Sequence, residues 1–129
     1  MNPIAQAHLA AAARNLTIAR DLLHHLPQGL ASPAYEWVVV LSFYAAVRSV
    51  NGYLLASNRG SPRTDSERNR EIWADPELER IREPYLELLN WSRDARYVLP
   101  HDSFGIDYAD TALNDAEQID GLVRLLLGT

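Results

Sequence analysis

The chain of 129 residues has no cysteine. That excludes a disulfide framework, a thiol nucleophile and a thiolate metal site. It has no lysine either, since all 12 of its basic residues are arginine. Each such cation is therefore a planar guanidinium, which can grip carboxylate or phosphate through paired hydrogen bonds. A glycine-rich phosphate loop, an HExxH helix and a GxSxG elbow are all absent, so the common nucleotide, zinc-protease and hydrolase signatures do not apply. No stretch alternates as a strand bounded by hairpin turns, and there is no internal repeat or low-complexity segment. The four histidines, His8, His24, His25 and His101, are not spaced as a ligand set, so no metal and no cofactor are expected. The net charge of −5 argues against a general nucleic-acid coat protein. The N-terminus lacks the basic start of a signal peptide. The apolar run from Trp37 to Val47 lies between Glu36 and Arg48, short of the ~20 residues that span a bilayer. The expectation is a cytoplasmic protein with no membrane partner.

What is present is helical patterning in a chain long enough for one domain, residues 1–129, with its own core. The densest apolar segment is PAYEWVVVLSFYAAVRSVNGYLLAS, residues 33–57. Trp37, Leu41, Tyr44, Arg48, Asn51 and Leu55 recur along one stripe, and Val38, Val39, Val40, Phe43, Val47, Val50 and Leu54 cover most of the remaining circumference. A helix apolar nearly all round is buried in a core or an interface. This is the expected central helix. Because it is apolar on more faces than one neighbouring core requires, a homodimer is expected.

The flanking segments read the same way. Asn2 can cap a first helix with Pro3 at its first position, its inner face carrying Leu9, Ala12, Leu16, Ala19, Leu23 and Leu26. Pro27, Gly29 and Pro33 break the chain, and Ser32 can cap the central helix. Arg59 to Arg70 is the only locally basic stretch, with Thr64 or Ser66 able to cap a short helix through Trp73. It reads as a solvated loop ahead of a phosphate-binding one. Asp75-Pro76-Glu77 is a helix-start signal, and Pro84 predicts a kink or a short helix followed by a longer one. Tyr97 to Gly105 reads as a loop. A last helix begins near Asp107, its inner stripe Tyr108, Ala112, Ala116, Ile119, Val123 and Leu126. Asp107, Asp110, Asp115, Glu117 and Asp120 give it an acidic outer surface. Four to five helices with short connections predict an all-α up-and-down bundle.

One spacing carries chemistry. Arg96 is followed five residues later by His101, near a helix end. Such a pair can cleave RNA without metal: arginine holds the scissile phosphate, and histidine, titrating near neutrality, moves protons. In a chain of this composition chance alone yields about one such match. Arg20 and His25 supply a second, on the outside of the first helix.

The residues Tyr35-x-Trp37, Phe43-Tyr44-Ala45-Ala46-Val47, Asn51-Gly52-Tyr53-Leu54, Thr64-x-x-x-Arg68 and Leu86-x-x-Leu89-x-x-Ser92-x-x-Ala95-Arg96-Tyr97 together resemble HEPN-like proteins. The resemblance covers roughly residues 4 to 125. It implies a helical bundle of a kind found in ribonuclease toxins, defence effectors and partners of nucleotidyltransferases. It implies pairing as a homodimer about a shared cleft, with RNA or nucleotide as ligand and an antitoxin or nucleotidyltransferase as further partner. Arg96 and His101 would then be the catalytic pair, and Tyr44, Arg48, Arg68 and Tyr97 the phosphate-binding residues. The alternative is a catalytically inactive dimerisation or partner-binding module. Two positions that often carry histidine in such proteins hold Arg48 and Asp65 here, and an Arg48–Asp65 ion pair is the expected replacement.

Overall fold

The computed structural model describes residues 1–25, 33–98 and 105–129. Within them the order is α1 (Pro3–His25), α2 (Pro33–Ala56), α3 (Asp65–Ala74), a 3₁₀ turn (Pro76–Ile81), α4 (Arg82–Arg93), a π turn (Asp94–Val98) and α5 (Ile106–Leu127). No strand occurs among the described residues. The chain is an all-helical bundle, as its patterning predicts.

Local chemistry sets several of the boundaries. The Asn2 side chain accepts the Ile4 N–H at 2.7 Å, with Pro3 at the first helical position, where no N–H is needed. Thr64 caps α3 by accepting the Glu67 N–H at 3.1 Å, while the Glu67 carboxylate accepts the Arg63 N–H at 2.9 Å. Asp75 caps the 3₁₀ turn through the Glu77 N–H. Pro84 falls in the first turn of α4, so the expected short element followed by a longer one is what forms. Ser32, the expected cap of α2, lies outside the described residues.

α2 packs against α1, α4 and α5. Val38, Val39, Phe43, Ala45, Ala46, Val50 and Leu54 supply its buried surface. Gly52 sits at the crossing with α1. A Cβ there would lie 3.0 Å from Leu9 Cδ2 and 3.3 Å from the Ala5 carbonyl oxygen, so the missing side chain permits the close approach. The span Tyr35–Ala56 is apolar and long enough to cross a membrane by length and composition, more than the Trp37–Val47 run suggests. However, 72% of its most apolar window is buried inside the bundle.

The valine-rich side of α2 meets the core, and the Trp37–Tyr44–Arg48 stripe lies away from it. Trp37 is 60% exposed, and Tyr44 and Arg48 are also exposed, because the valine-rich side takes the core. Tyr97 and Val98 belong to the π turn rather than to a loop. Asp115 is not on the acidic outer surface. It lies three residues after Ala112 and beside Ala116, so the helical period carries it into the core, next to Glu87 of α4. Tyr108 is half exposed, its ring edge-on to Trp91 with centroids 5.2 Å apart.

Burial, together with the hydrogen bond and negative charge of Glu87, pushes the Asp115 carboxyl up to about 8. A raised acid is protonated in the folded chain while its unfolded counterpart is already ionised. Its contribution to stability is therefore complete below the unfolded value near 4 and is lost as pH rises towards 8. Asp115→Asn should flatten this dependence. Relative to wild type, the variant should gain about 1–3 kcal/mol of stability between pH 5 and pH 8.5, measured by urea denaturation.

Candidate functional site

Polar groups meet across helices in three hydrogen-bonded clusters set along Tyr44, Arg48 and Asn51 of α2, together termed the arginine ring. On α2, Tyr44 and Arg48 stand one turn apart. Arg48 Nη1 lies 3.1 Å from Nδ1 of His8 on α1. A guanidinium can only donate, so His8 Nδ1 is the acceptor, and in the neutral ring the proton sits on Nε2. Burial first, then the charges of Arg48 and Arg68, lower the His8 pKa below its ordinary 6.5.

Arg68 of α3 is the buried member, at 5% exposure. Its Nε donates to Asn51 Oδ1 of α2 at 3.0 Å. Its Nη1 donates to Asp65 Oδ1 at 3.0 Å and to the Tyr85 hydroxyl of α4 at 3.4 Å. Burial raises the Tyr85 pKa although the Arg68 charge and hydrogen bond pull it down, so the phenol keeps its proton. The other Asp65 oxygen faces Arg93 of α4 at 4.0 Å.

One turn beyond Arg93, Arg96 forms the third cluster. Its Nε donates to the Ser92 carbonyl at 3.1 Å and its Nη1 to the Tyr44 hydroxyl at 3.3 Å. The guanidinium carbon lies 5.6, 5.7 and 5.0 Å from the rings of Phe43, Tyr44 and Tyr97. These are cation–π distances. Arg96 sits in a π turn, a wide turn that recurs at functional sites. Tyr97 is 76% exposed.

The three clusters together hold four guanidiniums and a histidine against the one carboxylate of Asp65. In a chain of net charge −5 this is a strong local excess of positive charge. Two exposed tyrosines stand beside it. Such an arrangement can hold phosphate through the guanidiniums and offer ring faces to a base. Among the described residues no three His, Asp or Glu side chains converge as a metal site.

A comparison with protein-family models, with curated proteins and with solved structures found no match to this chain.

Of the residues singled out from sequence, Arg48, Arg68 and Arg96 each anchor one of these clusters, with Tyr44 and Tyr97 beside Arg96. His101 lies outside the described residues. The Arg48–Asp65 ion pair does not form: Asp65 is taken by Arg68, three residues on in the same helix, and Arg48 turns to His8. The basic stretch Arg59–Arg70 divides. Arg59 leaves the ring for Asp75 at 2.6 Å, where the Tyr53 hydroxyl also donates. Burial raises the Asp75 pKa, but the hydrogen bonds from Arg59, the Glu77 N–H and Tyr53 outweigh it and hold the carboxyl below its usual range. Burial and these acids push the Tyr53 hydroxyl up to about 12. Sequence reasoning missed His8, Arg93 and Tyr85. Arg93 and Arg96 are one helical turn apart, a spacing visible in the sequence. No linear pattern ties residue 8 to residue 48.

A double-mutant cycle should separate the observed pairing from the expected one. Arg68→Ala alone should cost about 2–4 kcal/mol, since it strips a buried network of its donor. Asp65 and Arg68 should couple by about 1 kcal/mol and Asp65 and Arg48 by nothing beyond error. Equal coupling of the two arginines to Asp65 would contradict the geometry.

Proposed function

We propose that this is a HEPN-like domain that binds single-stranded RNA or nucleotide through the arginine ring. The observation that carries the reading is the clustering of Arg48, Arg68, Arg93 and Arg96 beside exposed Tyr44 and Tyr97. Guanidinium pairs suit phosphate, and sequence-tolerant stacking on tyrosine suits an unpaired base. The resemblance of the Phe43-Tyr44-Ala45-Ala46 and Ser92-x-x-Ala95-Arg96-Tyr97 segments to HEPN-like proteins supports the same reading. Metal-independent RNA cleavage of the toxin or defence type is the activity the resemblance implies. Arg96 would clamp the phosphate and His101 would move the proton.

The second reading is a noncatalytic module that pairs with itself or with an antitoxin or nucleotidyltransferase. It is favoured by Trp37, whose exposed indole continues along α2 through half-buried Leu41 to Tyr44. A homodimer formed on this stripe would set two arginine rings beside a shared cleft, so the two readings are compatible. Light scattering at micromolar concentration should return the mass of two chains, and Trp37→Ser should shift it to one. A wild-type monomer would remove the dimer.

Fluorescence anisotropy with a short single-stranded RNA, in chelator, tests binding. Wild type should bind with an affinity that falls steeply with salt, and Arg96→Ala and Arg48→Ala should each weaken it about tenfold, the worth of one charge-assisted contact. RNA shortened by wild type but not by Arg96→Ala in the same buffer would add catalysis. No binding at low salt, with folded protein, would leave the dimerisation module as the function.

A further inference from the structure

The contact between His8 and Arg48 has no structural necessity. Neither residue belongs to the core, and a guanidinium donating to an imidazole forgoes the carboxylate that five of the other arginines find among the described residues. We infer that His8 is a phosphate-binding residue of the arginine ring, and that an RNA phosphate entering beside His8 and Arg48 binds together with a proton taken up on the imidazole. The inference rests on the proposed RNA-binding reading and assigns the group that couples it to pH.

The surroundings of His8 account for the direction. Arg48 faces it from α2 and Arg68 acts on it from α3, with Asp65 holding the far side of Arg68. From α5, Arg124 donates to the carbonyl of the next residue, Leu9, at 2.9 Å, and its charge is met by Asp120 at 2.8 Å. Burial and the charge of Arg48, which has no carboxylate partner among the described residues, thus disfavour the imidazolium in the empty site. A phosphate placed beside Arg48 reverses the field. Arg48 turns its donors to the phosphate oxygens and releases Nδ1. The imidazole then gains a proton, and both of its nitrogens become donors. A phosphodiester remains a monoanion throughout the range in which histidine titrates, so any pH dependence of its binding belongs to the protein.

The test uses the full chain and a short single-stranded RNA with 5′- and 3′-hydroxyl ends. Anisotropy is read at constant ionic strength from pH 5.5 to 8 for wild type and His8→Gln. Glutamine keeps a donor and an acceptor but cannot take a proton. Affinity in wild type should rise about tenfold as pH falls, the effect of a pKa displaced by about one unit, and the rise in His8→Gln should be under about twofold. Independently of any variant, NMR titration of the wild-type ring protons should show the His8 pKa moving up when the RNA is added. Binding whose pH dependence is the same in both proteins, or a His8 pKa unmoved by bound RNA, overturns the inference while leaving the site intact. Failure of both proteins to bind at any pH overturns the reading of the site and this inference with it.

Discussion

A guanidinium cannot shed its proton inside a protein, so burying Arg68 obliges its neighbours to supply acceptors. Asn51 from α2, Asp65 from α3 and Tyr85 from α4 do so, and the three helices are held in register about one side chain. The rest of the polar face follows. Asp65, once committed to Arg68, is not available to Arg48. Arg48 is therefore left at the surface with a histidine as its partner among the described residues, and Arg93 meets the other Asp65 oxygen at a loose 4.0 Å. One buried cation, by consuming the local acceptor, leaves its neighbours under-compensated. That imbalance is the chemical character of the site.

The contrast with the other arginines sharpens this. Arg20 is paired with Glu117, Arg59 with Asp75 and Arg124 with Asp120, at 2.9, 2.6 and 2.8 Å. Arg82 is spent on the Ile72 and Asp75 carbonyls and lies over the Trp73 ring. These fasten helix ends and helix pairs. Arg96, by comparison, has a carbonyl, a hydroxyl and three aromatic rings around it but no carboxylate partner among the described residues. Its charge remains open to an anion.

Much of the helical layout was legible because it is written locally. Asn2, Thr64 and Asp75 are caps in the structure as in the pattern, and Leu9, Ala12, Leu16 and Ala19 form the inner face of α1. What was not legible is three-dimensional choice. On a helix apolar nearly all round, periodicity cannot say which stripe meets the core, and the valines took it over Trp37 and Tyr44. Asp115 reads as a surface residue by its charge and as a core residue by its phase, and phase prevailed because its own protonated carboxyl can hydrogen-bond to Glu87. The Arg96 segment stood out through its spacing and family resemblance. His8 did not, since its partner lies 40 positions away.

The central contrast is between Arg48, Arg93 and Arg96, whose charge is little compensated among the described residues, and Arg20, Arg59, Arg82 and Arg124, which are spent on carboxylates or carbonyls. Arginine Nε–Hε signals, followed by NMR while a short single-stranded RNA is added in chelator, test it directly. The account predicts that the signals of Arg48, Arg93 and Arg96 move together and saturate, while those of Arg20, Arg59, Arg82 and Arg124 stay in place. Movement spread evenly over both groups, or confined to the second, would contradict it.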